Sequence, residues 1–88
     1  MEVKFIFPDQ VSFTIDLIVI PRHNEIIDLS DLSDPTLFDL AGGFSVFENV
    51  HRKKIWKVNA ITYKLYSTDR FMGMIQLIEK EDTASYSV

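Results

Sequence analysis

The stretch from Lys54 to Glu79 constrains the fold most, because it holds two apolar, aromatic-rich runs joined by a short polar segment. Val, Ile, Tyr, Trp, Phe and Thr crowd both runs, and these residue types suit a pleated, half-buried strand. The segment between the runs, Ser67-Thr68-Asp69-Arg70, carries side chains that can hydrogen-bond their own backbone and so favour a turn. The sequence therefore predicts a long β-hairpin against which the rest of the chain packs.

The apolar positions change phase within the first run of this hairpin. Trp56 and Val58 share one face of a strand, because side chains alternate with a period of two. The apolar residues that follow fall on odd positions: Ile61, Tyr63 and Leu65. A β-bulge near Asn59 and Ala60 would return both sets to the core, and a strand buried on both faces is the alternative. In either case we expect Trp56 to face the core.

Two more runs alternate between apolar and polar residues, over Glu2 to Phe7 and over Val11 to Ile20. Pro8-Asp9-Gln10 separates them and has the composition of a tight turn, so the two runs predict a first hairpin. Five residues of the second run are expected to point inward: Val11, Phe13, Ile15, Leu17 and Val19. Pro21 ends that strand, and Glu25 to Leu29 predicts a short third strand after a turn.

The segment from 30 to 54 has a less regular pattern. Asp34-Pro35 is typical of a helix start, since Asp can accept a hydrogen bond from the first turn and Pro fits the first helical position. Apolar residues then keep helical spacing as far as Gly42-Gly43, where we expect a helix to end. Residues 44–51 fit either a second helix or a strand, and the spacing of Phe44, Phe47 and Val50 favours the helix.

Length and composition bound the class of protein. Eighty-eight residues, 47% of them hydrophobic, fit one small globular domain. We expect that domain to span 1–80, with a helical insertion over about 34–51 and a loose tail over 81–88. The fold class is mainly β: a five-stranded, bent antiparallel sheet or a small SH3-like barrel. Without a signal-like leader or an apolar run of membrane length, the protein is expected to be cytoplasmic, with no membrane contact.

Charge is unevenly distributed along the chain. The net charge is −4, but residues 1–50 carry nine acidic and two basic side chains, whereas residues 51–88 carry four acidic and seven basic ones. The two halves could attract each other within the fold or form two unlike surface patches. The acidic total argues against broad, nonspecific binding to nucleic-acid phosphates.

Two segments together resemble a known type of protein. They are Pro21-Arg22-His23-Asn24-Glu25-Ile26-Ile27 and Trp56 to Tyr63, and Ile75 to Glu79 supplies a matching last strand. The pattern resembles a loose group of short bacterial and phage-borne proteins with an SH3-like small barrel and a Pro-Arg-x-Gly-Asp/Glu-x-Val motif. Asn24 stands where that group has glycine, and the 30–54 segment is longer than its usual loop. The resemblance implies a barrel-like fold and a phage or mobile-element association.

No residue pattern predicts catalysis or a cofactor. Cysteine is absent, and there is no Gly-x-Ser-x-Gly elbow or phosphate-binding glycine loop. His23 and His51 are the only histidines, and each is expected on or near the surface rather than in a catalytic or ligand role. Four aspartates lack the spacing and closing glutamate of a calcium loop and are expected in turns and caps: Asp28, Asp31, Asp34 and Asp39. We therefore predict a protein that is not an enzyme, with no cofactor and no metal.

Two residue sets are candidates for a binding surface. The first combines basic and aromatic side chains that could bind nucleic acid: His51, Arg52, Lys53, Lys54, Trp56 and Lys57. The second holds apolar side chains that could contact a protein or belong to an ordinary core: Phe44, Phe47, Met72 and Met74. The leading prediction is a protein–protein interaction or accessory module, whose partner could be a second copy. Nucleic-acid binding through residues 51–57 is the alternative.

Overall fold

A computed structural model describes residues 1–80, in which five strands form a mixed sheet curled into a half-barrel beside a short helical segment. The strands are β1 (Glu2–Ile6), β2 (Ser12–Asp16), β3 (Ile26–Ile27), β4 (Trp56–Ser67) and β5 (Arg70–Glu79). Their order across the sheet is β2-β1-β5-β4-β3. The predicted mainly β class is confirmed, and the tail predicted over 81–88 lies outside the described residues.

The long hairpin is formed by β4 and β5, and its turn lies between Ser67 and Arg70 as predicted. The predicted bulge is also confirmed, since the register skips one residue between the pairs Val58–Leu77 and Ala60–Gln76. This extra residue keeps Trp56, before the bulge, and Ile61, after it, on the core side. Trp56 is buried, and its ring meets that of Phe7 edge-on at 4.8 Å.

The sheet is mixed rather than antiparallel, which corrects the sequence expectation. β1 and β5 run parallel, with Val3 beside Gly73 and Phe5 beside Ile75. Parallel neighbours need a long crossover, and the chain between β2 and β4 supplies it. β2 and β3 stand at opposite ends of the sheet, and within residues 1–80 no strand pair joins them to close a barrel.

The second strand is shorter than the predicted Val11 to Ile20. β2 pairs with β1 over five residues, and the last backbone bond of this hairpin runs from the N–H of Leu17 to the C=O of Met1. Beyond it the chain leaves the sheet, so Val19 is exposed instead of inward. Ser12, expected outward, is buried because the segment that holds Asp39 covers this edge of the sheet, with Ser12 Oγ donating to Asp39 at 2.8 Å.

The segment between β3 and β4 is only partly helical as predicted. Asp34 caps a single 3-10 turn, Pro35–Leu37, instead of a helix that reaches Gly42. Phe38 leaves the helical path because it forms a bridge with Phe13 of β2. The third strand is also shorter than Glu25 to Leu29, since the Asp28 side chain accepts from the N–H of Ser30 and turns the chain.

A helix over the second half of this segment is confirmed. It consists of α1 (Gly43–Val46), followed directly by a π-helical turn, Phe47–His51. A hydrogen bond of 2.9 Å from the N–H of Arg52 to the C=O of Phe47 closes the π turn. Both ends of that turn, Phe47 and His51, are buried.

Aromatic rings fill the space between the sheet and the helical segment. Phe7 is at their centre, with ring centroids 6.0 Å from Phe13, 6.1 Å from Phe47 and 4.1 Å from His51. Phe38 joins the cluster at 5.1 Å from Phe47. Ring pairs that are stacked with an offset or tilted stabilise a core beyond the burial of their area, so this cluster stabilises the packing of the helical segment on the sheet.

Candidate functional site

The end of the β4–β5 hairpin projects beyond its neighbouring strands. β1 pairs with β5 only from Gly73 to Gln76, and β3 pairs with β4 only at Trp56 and Lys57. The part of the hairpin nearest its turn, residues 63–72, is named the arm here. The molecule measures 51 × 28 × 21 Å, an elongation that fits a hairpin longer than the sheet around it.

One face of the arm is apolar and exposed. Leu65 and Phe71 lie directly opposite each other, and the ring of Phe71 is 6.1 Å from that of Tyr63. The residues Tyr63, Leu65 and Phe71 are 52%, 74% and 41% exposed. This face continues the core side of the sheet, where Ile61 and Ile75 lie, beyond the point at which the core ends.

The base of this face is closed by Ile20. A side chain at Gly73, which pairs with Tyr63, would place its Cβ 3.2 Å from Cδ1 of Ile20. Gly73 therefore allows Ile20 to approach the strand closely, a common role of a glycine inside a strand. Ile18 and Val19, just before Ile20, are exposed as well. The apolar face of the arm thus begins beside a second exposed apolar segment.

The opposite face of the arm is basic and aromatic. Lys64 Nζ lies 5.7 Å from the ring centroid of Tyr66, and the guanidinium of Arg70 lies 6.0 Å from it. Met72 sits opposite Lys64 on the neighbouring strand. The two faces of the arm therefore differ in chemistry, and only the face of Tyr63, Leu65 and Phe71 is uniformly apolar.

The outer edge of β4 is open along most of its length. Asn24 and Glu25 hydrogen-bond the backbone of Val58, which ends the contact with the β3 side. From Asn59 to Ser67 this edge has no strand pairing and no backbone hydrogen bond with another segment among residues 1–80. These nine residues are named the free edge. Unpaired N–H and C=O groups of this kind are a template for pairing with another strand.

The predicted basic set, 51–57, is divided by the structure. His51 and Trp56 are buried, at 2% and 3% exposure, and belong to the core. Arg52 is half-buried: it donates to the C=O of Leu32 at 2.8 Å and lies over the rings of Phe44 and Phe47. The lysines stay nearer the solvent, with Lys53 and Lys54 exposed and Lys57 half-buried. Lys54 pairs with Glu79 at 3.3 Å.

The predicted apolar set is divided as well. Phe47 is fully buried, and Phe44 is half-buried and packs against the core, as the ordinary-core alternative expects. Met72 and Met74 are half-buried, and Met72 lies on the arm. Of these four residues, only the two methionines lie on the long hairpin.

His51 is buried, so the expectation of a surface or half-buried histidine at this position is wrong. Its Nε2 lies 2.8 Å from Oδ2 of Asp9, and its ring stacks on Phe7. A cavity of about 320 Å³ adjoins this pair and is lined also by Trp56 and Glu79. Nδ1 of His51 has no hydrogen-bond partner among the described residues. Within residues 1–80, therefore, no hydroxyl group lies close enough to this nitrogen to be activated as a nucleophile. The pair joins the β1–β2 turn to the helical segment.

The aspartates occupy turns and caps, as predicted for Asp28 and Asp34. The hydrogen bond from the backbone N–H of Ser30 holds the pKa of Asp28 below its ordinary value. The hydroxyl of Thr36, followed by its backbone N–H, lowers the pKa of Asp34 in the same way. Asp39 instead accepts hydrogen bonds from Ser12 and Thr14. Within residues 1–80, no cluster of three or more His, Cys, Asp or Glu side chains could hold a metal ion.

The sequence pattern did not single out the exposed face of the arm. Tyr63, Leu65 and Phe71 follow the alternation of core residues, so the pattern predicts that they are buried. One signal could have found them: the hairpin runs are about twice as long as the first predicted strand. A short strand cannot cover the whole of a long one, so the distal ends of the hairpin must lack a neighbour.

Comparison of the chain with protein-family models, with curated proteins and with solved structures gives no match. None of the helices in the described range is long and apolar enough to cross a membrane.

Proposed function

We propose that this chain is a non-catalytic protein-interaction module that contacts its partner through the arm. One observation carries the proposal: the core-side face continues onto the arm as Tyr63, Leu65 and Phe71, and no part of residues 1–80 covers it fully. Aromatic residues are enriched at protein interfaces, and apolar patches on a monomer mark contact sites. The cytoplasmic location that the sequence predicts is part of the same proposal.

The backbone supports the same conclusion independently of the side chains. The free edge offers unpaired N–H and C=O groups directly beside the apolar face. Strand addition uses this combination, because the backbone bonds give affinity and the alternate side chains give specificity. Natural proteins protect long edges with prolines, charges or covering segments, yet Lys64 is the only charged residue from 59 to 67.

A pair of variants tests the proposal. Leu65→Lys places a charge on the apolar face of the arm, whereas Leu40→Lys makes the same change at an equally exposed leucine (72% exposed) outside the arm. The immobilised protein captures partners from an extract of the source cells, and mass spectrometry identifies them. We expect Leu65→Lys to lose the partners that the wild type and Leu40→Lys share. Identical partners for all three proteins would overturn the proposal.

Nucleic-acid binding is the second candidate, supported by three neighbouring lysines, of which Lys53 and Lys54 are exposed and Lys57 is half-buried. Its support is weaker in one respect, since the buried ring of Trp56 is not available to stack on a base. Fluorescence anisotropy with labelled single-stranded DNA and RNA, at low and moderate salt, distinguishes the two functions. Binding that weakens steeply with added salt, and is lost in a Lys53→Glu, Lys57→Glu variant, would favour this second function.

A further inference from the structure

We propose that the partner of the arm is a second copy of this chain, joined by antiparallel pairing of the two free edges about a two-fold axis at Tyr63. This inference rests on the proposed function and names its partner. Three observations carry it: the direction of the backbone groups along β4, the extent of the free edge, and the pattern of its side chains.

The backbone groups of β4 point in the direction that such pairing needs. In a strand, successive residues direct their N–H and C=O to alternate edges. Val58 directs both groups toward the β3 side, where they bond Asn24 and Glu25. The bulge at Asn59 adds one residue, so beyond it the odd-numbered residues face that edge. Ile61, Tyr63 and Leu65 therefore present their backbone groups to an incoming strand.

The extent of the free edge selects the register. It runs from Asn59, next to the β3 contact, to Ser67, next to the turn, and its midpoint is Tyr63. Register shifts at Asn59 and at Tyr66 interrupt β4 at both ends of this edge, so the regular stretch is Ala60 to Leu65. Two copies that pair antiparallel about Tyr63 use all three of its edge-facing residues, with Tyr63 facing Tyr63 of the partner subunit. An axis placed elsewhere along the strand leaves part of both edges unpaired, or brings the β4–β5 turn of one copy into contact with β3 of the other.

The side chains along the edge are compatible with a two-fold axis at the same residue. On the apolar face, Ile61 meets the partner's Leu65. On the other face, Thr62 meets the partner's Lys64, so the two lysines do not face each other. An isologous interface requires this self-complementarity, because each contact occurs twice. A shift of one residue centres the axis on Lys64 and sets two like charges directly opposite, which is unfavourable.

Cross-linking tests the register directly. The chain has no cysteine, so a single introduced thiol is unique. Tyr63→Cys places two thiols opposite each other across the axis, within the Cα separation that a disulfide spans. Tyr66→Cys is the matched control, since Tyr66 is 55% exposed on the same strand but lies at the second register shift, three positions from the axis residue. We expect mild oxidation to cross-link Tyr63→Cys and not Tyr66→Cys; equal cross-linking would overturn the register.

Sedimentation equilibrium of the full chain tests the partner. We expect a wild-type dimer, an unchanged dimer for Leu40→Lys and a dimer dissociation constant raised about tenfold or more for Leu65→Lys, because each lost contact counts twice. Circular dichroism checks that the variants fold. A wild type that stays monomeric at every concentration overturns this inference. In that case the proposed function still holds if the arm captures another protein. If Leu65→Lys changes neither the sedimentation result nor the captured proteins, both the dimer and the proposed function are overturned.

Discussion

Nε2 of His51 lies 2.8 Å from Oδ2 of Asp9, so a buried side chain of the helical segment is held by a half-exposed carboxylate of the β1–β2 turn. These two residues are 42 positions apart in sequence. Their contact fixes the helical segment over the aromatic cluster, since the same imidazole ring stacks on Phe7.

Asp9→Ala should destabilise the protein, because it removes the hydrogen-bond partner of His51 and leaves a buried polar group unsatisfied. We expect a loss of about 1–3 kcal/mol in the free energy of unfolding. Urea denaturation followed by circular dichroism measures it. Asp31→Ala removes an exposed carboxylate and is the control. Equal midpoints for the two variants would show that the His51 contact contributes nothing to stability.

Trp56→Ala should be the most damaging change in the long hairpin. Trp56 is almost fully buried, contacts Phe7 and donates its Nε1–H to the C=O of His51 at 3.0 Å. Truncation leaves a cavity and costs about 3–5 kcal/mol. Thermal or urea unfolding measures the loss, and exposed Tyr66→Ala should stay within about 0.5 kcal/mol of the wild type.

The fluorescence of Trp56 checks the same placement without a substitution, since it is the only tryptophan. A buried indole should emit at a blue-shifted wavelength and resist quenching by iodide. Emission close to that of free tryptophan, with ready quenching, would contradict its burial.

Two adjacent glycines should respond in opposite directions to replacement by alanine. Gly42 has φ of 83°, where a side chain is strained, so Gly42→Ala should cost about 1 kcal/mol. Gly43 begins α1, and a Cβ there would meet Phe38 at an ordinary 3.5 Å. Gly43→Ala should therefore stabilise the protein by about 0.5 kcal/mol, because it lowers the entropy of the unfolded chain. Melting temperatures that move in the same direction would contradict this assignment.

Asp34 should make a pH-dependent contribution to stability. Its pKa in the folded protein lies below the ordinary value of 3.8, because Thr36 hydrogen-bonds the ionised carboxylate. A lowered folded pKa means that the contribution is complete above the unfolded value and is lost as the pH falls through the folded one. Asp34→Ala should thus melt below the wild type at neutral pH, and the difference should shrink as the pH falls below 3.8. A difference that is constant with pH would exclude the charge as its source.

Local patterns predicted those parts of the fold that depend on neighbouring residues. The phase change between Val58 and Ile61 predicted the bulge, and the same alternation placed Trp56 in the core. The helix over 44–51 followed from apolar spacing. In each case the residues that decide the structure lie within a few positions of one another, so their periodicity carries the information.

Features that depend on distant partners could not be predicted in the same way. Phe38 lies within the segment predicted to be helical up to Gly42, yet it pairs with Phe13, 25 positions earlier, and the helix is lost. Val19 alternates correctly but lies beyond the end of β2, where residues 1–80 provide no strand to pair with. Tyr63, Leu65 and Phe71 alternate as core residues, and only the short reach of β1 leaves them exposed. The alternation of these residues predicts which face of the strand they share, but it does not predict whether another segment covers that face.

The parallel pairing of β1 with β5 also has a consequence for the order in which the protein folds. The β1–β2 and β4–β5 hairpins each rely on contacts between neighbouring strands, and such local contacts form quickly. The contact between residues 3–6 and 73–76 spans nearly the whole chain, and contacts of this range are slow to form. The continuous sheet therefore exists only once two separate hairpins have docked side by side. β1 is synthesised well before β5, so its pairing stays incomplete until β5 docks beside it.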